Sequence, residues 1–384
     1  MKNYISKVVQ DLQPSGIRAF FDLVLGMKEV ISLGVGEPDF VTPWNVRESA
    51  IFSLEQGYTS YTSNKGMLKI RLQICRFLKG HYGIEYDPDD EILITVGVSE
   101  ALDLTMRAIL NPGDEVLIPE PCYVSYGPVT ALAGGRPVYI STAKTNFKLT
   151  AEDIERHYNK NTKAIIFNYP SNPTGASYSR KELEEIKKEV LRHKLIMISD
   201  EVYDELTYDF KHTPFVSLSG SRENTIYLNG FSKSYAMTGW RVGYACGPKE
   251  IIAAMTKIHQ YTIMCVSITS QIAACEAMAS GRKSVEEMKR EYCRRREFIT
   301  GELNRLGLNC IYPQGAFYAF ASIKNTGLSS MDFCQGLLKE QKTAVVPGTA
   351  FGPSGEGYIR ISYASSLDNL KEAIIRIEKF LKGI

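Results

Sequence analysis

A lone lysine, Lys233, stands among small and apolar residues a few positions after an apolar run from Thr225 to Leu228. The run predicts a buried strand. A lysine in a water-poor pocket beside a second cation keeps more of its amine uncharged and nucleophilic. Arg241 follows eight positions later and supplies such a cation, and an arginine is also a natural bidentate partner of a phosphate. The alternative for Lys233 alone is an exposed loop charge, because lysines are mostly exposed.

Further polar residues follow the ends of other apolar runs. Runs over 91–96, 115–119, 137–140, 163–167 and 195–199 predict strands, and they alternate with helical patterns such as 180–193. This alternation predicts an α/β fold whose mostly parallel sheet has helices on both faces. Ligands of such sheets gather at the carboxyl ends of the strands. The residues placed just after predicted strands are Ser99, Tyr123, Asn172, Asp200 and Lys233, and we therefore expect one shared site.

Two loops leave alternatives open. Ser99 opens a predicted helix directly after a strand, where free N–H groups and the helix dipole attract an anion. It could instead serve as the helix N-cap, and the two interpretations are compatible. The loop from Gly34 to Gly36 lacks the third glycine of a dinucleotide-binding loop. It is either a place where the backbone approaches a small ligand or a plain turn.

The sequence pattern changes near Ser284. The range 286–306 predicts one long helix, and its basic run at 294–296 is interleaved with glutamates. We expect a solvated face there and not a nucleic-acid patch. Arg360 lies within the apolar strand pattern 358–362, and a buried arginine needs an anionic partner. That partner is either a protein carboxylate or a ligand.

Composition narrows the class of protein. The 384 residues carry a net charge of +2, which gives no reason to expect nucleic acid or an anionic membrane as partner. The eight cysteines are scattered without a Cys-x-x-Cys motif, so we expect reduced thiols in a cytoplasmic protein and no metal site. No apolar run is long enough to span a membrane. Residues 1–30 predict an arm and a short helix, with a turn at 14–16 and helix from 17 to 23.

Five motifs together resemble the class I/II aminotransferases of fold type I, the aspartate aminotransferase-like enzymes that use pyridoxal 5′-phosphate. The resemblance runs essentially from end to end. It is carried by Leu33-Gly-Val-Gly36-Glu-Pro-Asp39, Ser171-Asn172-Pro173-Thr174-Gly175, Asp200-Glu-Val-Tyr203, Ser232-Lys233 with Arg241, and Tyr358-Ile-Arg360-Ile-Ser362. It implies a three-layer α/β/α large domain over 46–283, a smaller α+β domain over 284–384, and an N-terminal arm over 1–45 that contributes to the small domain.

The resemblance also implies an activity and roles. The activity is transfer of an amino group between an L-amino acid and a 2-oxo acid through a Schiff base on Lys233, in amino-acid biosynthesis, by a cytoplasmic homodimer with shared sites. The implied catalytic residues are Lys233, Asp200 and Tyr203. The implied cofactor-binding residues are Val98, Ser99, Glu100 (through its backbone N–H), Tyr123, Asn172, Asp200, Tyr203, Ser232, Lys233, Arg241 and, across the dimer, Tyr61. The implied substrate-binding residues are Gly36, Asn172 and Arg360, the last for the α-carboxylate.

One position departs from many relatives, and some questions stay open. Gly230 stands where many of these enzymes have a serine or threonine that contacts the phosphate, so one phosphate hydrogen bond is expected to be missing. A carbon–sulfur β-lyase on the same scaffold needs almost the same residues, and a non-catalytic regulatory domain that binds the cofactor is a further alternative. The substrate side chain is not identified; aspartate, aromatic amino acids, alanine and an acylated diaminopimelate are all allowed.

Overall fold

The computed structural model describes residues 4–14, 16 and 27–384. Within the predicted N-terminal arm it contains a short helix, Lys7–Asp11. The predicted turn at Ser15 and the predicted helix over 17–23 lie outside the described residues. No helix in the described part of the chain is long and apolar enough to cross a membrane.

The strands and helices of the described residues are numbered in chain order. The strands are β1 Ile31–Ser32, β2 Ile92–Thr95, β3 Glu115–Glu120, β4 Arg136–Ser141, β5 Thr162–Asn168, β6 Ile196–Asp200, β7 Thr225–Gly230, β8 Gly243–Cys246, β9 Tyr318–Ser322, β10 Thr343–Ala344, β11 Val346–Pro347 and β12 Tyr358–Ser362. The helices are α1 Lys7–Asp11, α2 Trp44–Glu55, α3 Leu68–Tyr82, α4 Gly97–Ile109, α5 Tyr126–Leu132, α6 Ala151–His157, α7 Arg180–Arg192, α8 Lys249–Thr262, α9 Ile268–Ser280, α10 Arg282–Arg305, α11 Ser330–Gln341 and α12 Leu367–Leu381.

The central sheet has seven strands in the order β2-β8-β7-β6-β5-β3-β4. Strands β3 to β7 pair in parallel, whereas β8 runs antiparallel to both of its neighbours. The predicted strand–helix alternation and the mostly parallel sheet are therefore confirmed. Strand β8 is short and lies between β2 and β7. The chain that follows Lys233 therefore returns to the sheet directly beside β7.

Apolar helices cover both faces of this sheet. Successive side chains of a strand point to opposite faces, and β5 shows the consequence. Ile165 and Phe167 belong to one apolar cluster with Leu183 of α7. Ile166 belongs to another cluster with Leu102 of α4. Two-sided burial explains why these strands are continuous apolar runs in the sequence.

The C-terminal region contains a separate three-stranded antiparallel sheet with the strand order β11-β12-β9. Strand β1 from the N-terminal region pairs in parallel with β10, through Ile31 and Thr343. The long helix α10 begins four residues earlier than the sequence pattern predicts, at Arg282. The boundaries of the large and small domains stay a prediction.

The expectation of a solvated face at 294–296 is wrong for two of the three arginines. Arg295 and Arg296 are buried, with Arg295 donating to Asp39 and Arg296 to Asp209. Only Arg294 lies on the exposed face. Sequence periodicity could not show this, because both carboxylates come from distant segments of the chain.

Candidate active site

One cavity of about 910 Å³ opens where the strands of the central sheet end, and it is also lined by the loop after β1 and by β12. The structure brings most of the predicted site residues to its lining. These are Gly36, Val98, Ser99, Tyr123, Asn172, Asp200, Tyr203, Ser232, Lys233, Arg241 and Arg360. Two predicted residues are not among them. Tyr61 lies in an exposed loop, with 82% of its surface accessible, and the Glu100 side chain turns to His259.

The amine of Lys233 lies inside this cavity, on the segment after β7. Its Nζ donates to the carbonyl oxygen of Gly36 at 2.6 Å. The pKa of Lys233 is lowered to about 8, mainly by burial; the carboxylate of Glu37 opposes this shift, and the positive charges of Arg360 and Arg241 add to it. The amine is therefore uncharged in a much larger fraction of molecules near neutral pH than a solvated lysine would be.

Asp200, the last residue of β6, provides a buried carboxyl in the same cavity. Its Oδ2 accepts from the Tyr126 hydroxyl at 2.7 Å, and its Oδ1 from the Val202 N–H at 3.3 Å. Burial raises the pKa of Asp200 to about 6, although both hydrogen bonds favour the charged form. A cation placed against this carboxylate would form a desolvated ion pair. Sequence analysis missed Tyr126, which lies one helical turn after Tyr123 at the start of α5.

The start of α4 and Arg241 form a close-packed anion cradle. Gly97 has φ +70°, and a Cβ there would lie 2.7 Å from Nη2 of Arg241. A Cβ on Gly243 would lie 2.8 Å from the Val98 nitrogen. Arg241 donates from Nη1 to the Thr238 carbonyl at 2.9 Å and forms no ion pair with any described carboxylate. Free helix N–H groups and an arginine without a carboxylate partner are suited to a phosphate.

Close packing also explains Gly230. A Cβ at this position would lie 3.0 Å from the Gly243 Cα, 3.1 Å from a Val98 methyl and 3.2 Å from the Val242 carbonyl oxygen. Two of these neighbours are backbone atoms that cannot move aside. A serine or threonine would therefore crowd β8 and the start of α4 by a few tenths of an ångström, which favours glycine at this position.

Arg360 is almost completely buried at the opposite end of the cavity. Its Nη1 donates to Asn172 Oδ1 at 2.9 Å, and its Nη2 donates to the Gly34 carbonyl. The guanidinium carbon lies 4.5 Å from the Tyr318 ring centre and 4.8 Å from that of Phe351. Its Nε is buried without a hydrogen-bond partner in the described structure. Burial lowers the pKa of Arg360.

Arg296, a second buried arginine, has a carboxylate of the protein as its partner. Arg296 binds both carboxylate oxygens of Asp209, at 2.7 and 2.9 Å. By contrast, Arg360 pairs only with neutral oxygen atoms, and no carboxylate in the described ranges forms an ion pair with it. A buried cation without a protein anion favours the ligand interpretation of Arg360.

Tyr318 connects the two halves of the site, and sequence analysis did not single it out. Its hydroxyl lies 2.8 Å from the hydroxyl of Tyr203. A Cβ on Gly36 would lie 2.7 Å from the same hydroxyl, so a larger residue there would displace the Tyr318 side chain. Tyr203 itself is buried and packs edge-on against Tyr318 and Phe317. The only sequence signal for Tyr318 was its position in an apolar run.

Comparisons with known proteins agree with this geometry. The model of the family "Aminotransferase class I and II" matches residues 28–377. A Bacillus subtilis protein with aminotransferase in its name is 53% identical over 99% of each chain. The aspartate aminotransferase of Pyrococcus abyssi is 47% identical, over 97% of this chain and 96% of its own. The crystal structure of an aromatic aminotransferase from Pyrococcus horikoshii superposes with a TM-score of 0.91 at 45% identity, covering 96% and 99% of the two chains.

The chain belongs to the class I and II aminotransferases. The expected fold, the aminotransferase activity and the cofactor pyridoxal 5′-phosphate are confirmed. The residues present fit that cofactor, because the cavity contains an amine of lowered pKa, a buried carboxyl and an anion cradle that a Cβ on Gly97 would fill.

Proposed function

We propose that this aminotransferase binds its cofactor covalently through Lys233 and moves the substrate proton with the same amine. When bound, pyridoxal 5′-phosphate supplies an aldehyde that condenses with amines and a ring that withdraws electrons from the substrate Cα. The observation that carries the proposal is the Lys233 amine, which has a pKa of about 8 and lies in one cavity with Asp200 and Arg360. A base works best when its pKa lies near the working pH.

The other residues that line the cavity are assigned to different parts of the cofactor. Asp200 would stabilise a proton on the ring nitrogen, and Tyr126 keeps its carboxylate in place. Tyr203 and Asn172 would donate to the ring hydroxyl oxygen, and Tyr123 would stack on the ring. The phosphate would be bound by Val98, Ser99, the backbone N–H of Glu100, Ser232 and Arg241.

Substrate binding is assigned to the Arg360 end. Arg360 would bind the α-carboxylate, assisted by Asn172, whose side-chain oxygen already orients the guanidinium at 2.9 Å. The Gly36 backbone would contribute beside it.

We also propose a homodimer in which Tyr61 reaches the phosphate of the other subunit. Support comes from exposed apolar side chains on the segments around it. Trp44, Phe52, Tyr58 and Tyr261 are all exposed. A concentration of such residues is typical of a subunit interface. The Asn64 side chain donates to the Met264 carbonyl at 2.7 Å, which joins two of these segments.

Domain organisation and location complete the proposal. The large domain would span 46–283, the small domain 284–384, and residues 1–45 would contribute to the small domain, as the pairing of β1 with β10 suggests. A cytoplasmic location and a role in amino-acid biosynthesis are proposed. All eight cysteines are free thiols, which is consistent with a reducing compartment.

Absorption spectroscopy and product analysis test the proposal. The protein with cofactor should absorb visible light, and Lys233→Ala should lose this absorption together with nearly all turnover. Lys289→Ala is a matched control, because burial also lowers the pKa of Lys289 but that residue lies outside the cavity lining. An amino acid should give its 2-oxo acid and aminated cofactor. A wild type that stays colourless, or one that releases pyruvate and ammonia, would contradict the proposal.

A further inference from the structure

The first turn of helix α4 carries a carboxylate directly beside the proposed phosphate site. Val98 and Ser99 line the cavity, and Glu100 follows them in the same turn. The partial positive charge of a helix N-terminus attracts any nearby anion, whether it belongs to a side chain or to a ligand. The carboxylate of Glu100 and a bound phosphate therefore compete for one helix end. Like charges at close distance also cost affinity.

Two hydrogen bonds hold the Glu100 carboxylate in one orientation. Its Oε2 accepts from the backbone N–H of Val96, a donor that is not among those assigned to the phosphate. Its Oε1 lies 2.7 Å from Nδ1 of His259, which belongs to helix α8. An ionised carboxylate only accepts hydrogen bonds, so the ring nitrogen is the donor. The side chain is thus drawn towards α8.

His259 is a firmly placed anchor for this carboxylate. Its side chain is completely buried, and the residue lies in the last turn of α8. Its carbonyl oxygen accepts from the N–H groups of Ile263 and Met264, both at 2.9 Å, so the end of the helix is fixed as well. A close-packed ring keeps one orientation. The position of its Nδ1 therefore determines where the Glu100 carboxylate is held.

The alternative is that His259 only helps to pack α8 against α4. The same two helices also meet about two turns further along α4, where the Thr105 hydroxyl lies 3.7 Å from Sδ of Met255. Met255 belongs to the apolar cluster between these helices. A residue that only packs would weaken the binding of every form of the cofactor in parallel. Thr105 therefore offers a control in the same helix pair.

We propose that His259 is a positioning residue for the cofactor phosphate. It holds the Glu100 carboxylate on the α8 side and so leaves the first N–H groups of α4 to the phosphate. His259 lies outside the cavity lining and acts through Glu100. The inference rests on the proposed function, specifically on the start of α4 as the phosphate site.

The test compares pyridoxal 5′-phosphate with pyridoxal, which has no phosphate, in equilibrium binding to the full-length protein freed of cofactor. In His259→Phe, which fills the ring volume without a donor, the phosphorylated form should bind about tenfold or more weakly, and pyridoxal should change by less than about twofold. Thr105→Val should leave both affinities near those of the wild type. Equal losses for both ligands in His259→Phe, or an unchanged affinity for pyridoxal 5′-phosphate, would overturn the inference. A wild type that binds both ligands equally would instead contradict the phosphate site of the proposed function, and the inference with it.

Replacement of the carboxylate gives a second test that does not depend on the folding of His259→Phe. Glu100→Gln keeps an acceptor for the Val96 N–H and removes the charge, so it should bind pyridoxal 5′-phosphate at least as tightly as the wild type. Weaker binding of the phosphorylated form alone would overturn the inference. Adding His259→Phe to Glu100→Gln should cost less than about threefold, because no carboxylate charge remains to be held away. A tenfold loss in that double variant would show that His259 does not act through Glu100.

Discussion

Replacement of Arg360 by lysine tests whether this arginine binds a substrate carboxylate or has only a structural role. The arginine side chain has five N–H donors, whereas a lysine has three on one atom. Two of the arginine donors are directed to Asn172 and Gly34. Three remain for a ligand, including the buried Nε that has no partner among the described residues. A lysine that kept the same two contacts would have a single donor left, so Arg360→Lys should weaken carboxylate binding sharply.

The expected size follows from this donor count. A hydrogen bond to a charged group contributes about 1.5–3 kcal/mol, and two donors are lost. The loss of transition-state stabilisation should be about 2–5 kcal/mol, the scale measured for truncated buried charge pairs, which overlaps the sum of about 3–6 kcal/mol for the two donors. In kcat/KM this corresponds to a decrease of about thirtyfold to several thousandfold. Cofactor affinity and folding should change little.

The assay compares phenylalanine with phenylethylamine, its decarboxylated counterpart, in half-reactions of both proteins. The amine has no carboxylate, so its rate should be largely preserved in Arg360→Lys. Arg296→Lys is the matched control, because Arg296 is equally buried but pairs with Asp209. That variant should lose stability and leave the ratio of the two substrates unchanged. Equal losses for phenylalanine and phenylethylamine in Arg360→Lys would refute the carboxylate role and make the residue structural.

Three further predictions concern the rest of the site. Tyr126→Phe removes a hydrogen bond that lowers the pKa of Asp200, so the acid limb of kcat/KM, measured between about pH 5 and 8, should move to higher pH; an unmoved limb would contradict the coupling. Covalent capture of added cofactor by the apoprotein needs the uncharged amine of Lys233, so its rate should rise with pH and be half-maximal near 8; a midpoint near the ordinary value of 10.5 would show a solvated lysine. Gly230→Ser should lower the free energy of unfolding in urea by about 1–3 kcal/mol through overpacking, whereas Gly301→Ser, where a Cβ meets nothing within 4 Å, should be nearly neutral; equal stability of the two variants would contradict the packing argument.

Local patterns in the sequence were sufficient to predict the strands of the central sheet. Apolar runs such as 164–167 become strands because burial on both faces of the sheet favours apolar residues at successive positions, and this pattern is visible within one segment. The same local reasoning placed Asp200 and Lys233 just after strands. Parallel strands end at a common edge, so residues from separate segments could be expected in one place.

The hydrogen-bond and ion-pair partners of individual side chains could not be predicted from such local patterns. The basic run at 294–296 looks solvated in the sequence, yet Arg296 finds Asp209, which lies 87 residues away along the chain. The hydroxyl that binds Asp200 comes from Tyr126, 74 residues away. A hydrophobic period tells which face of a helix or strand is buried, but it carries no information about which distant group the buried face will meet.

The sequence by itself determined the element types, the sheet edge that carries the site and the kinds of residue gathered there. Only the tertiary structure decided that Arg360 has no carboxylate partner among the described residues while Arg296 has one, and that backbones pack closely around Gly230. The physical reason is that periodicity and turn chemistry act over a few neighbouring residues. Ion pairing and close backbone approach depend on distances between segments that fold together from far apart in the chain.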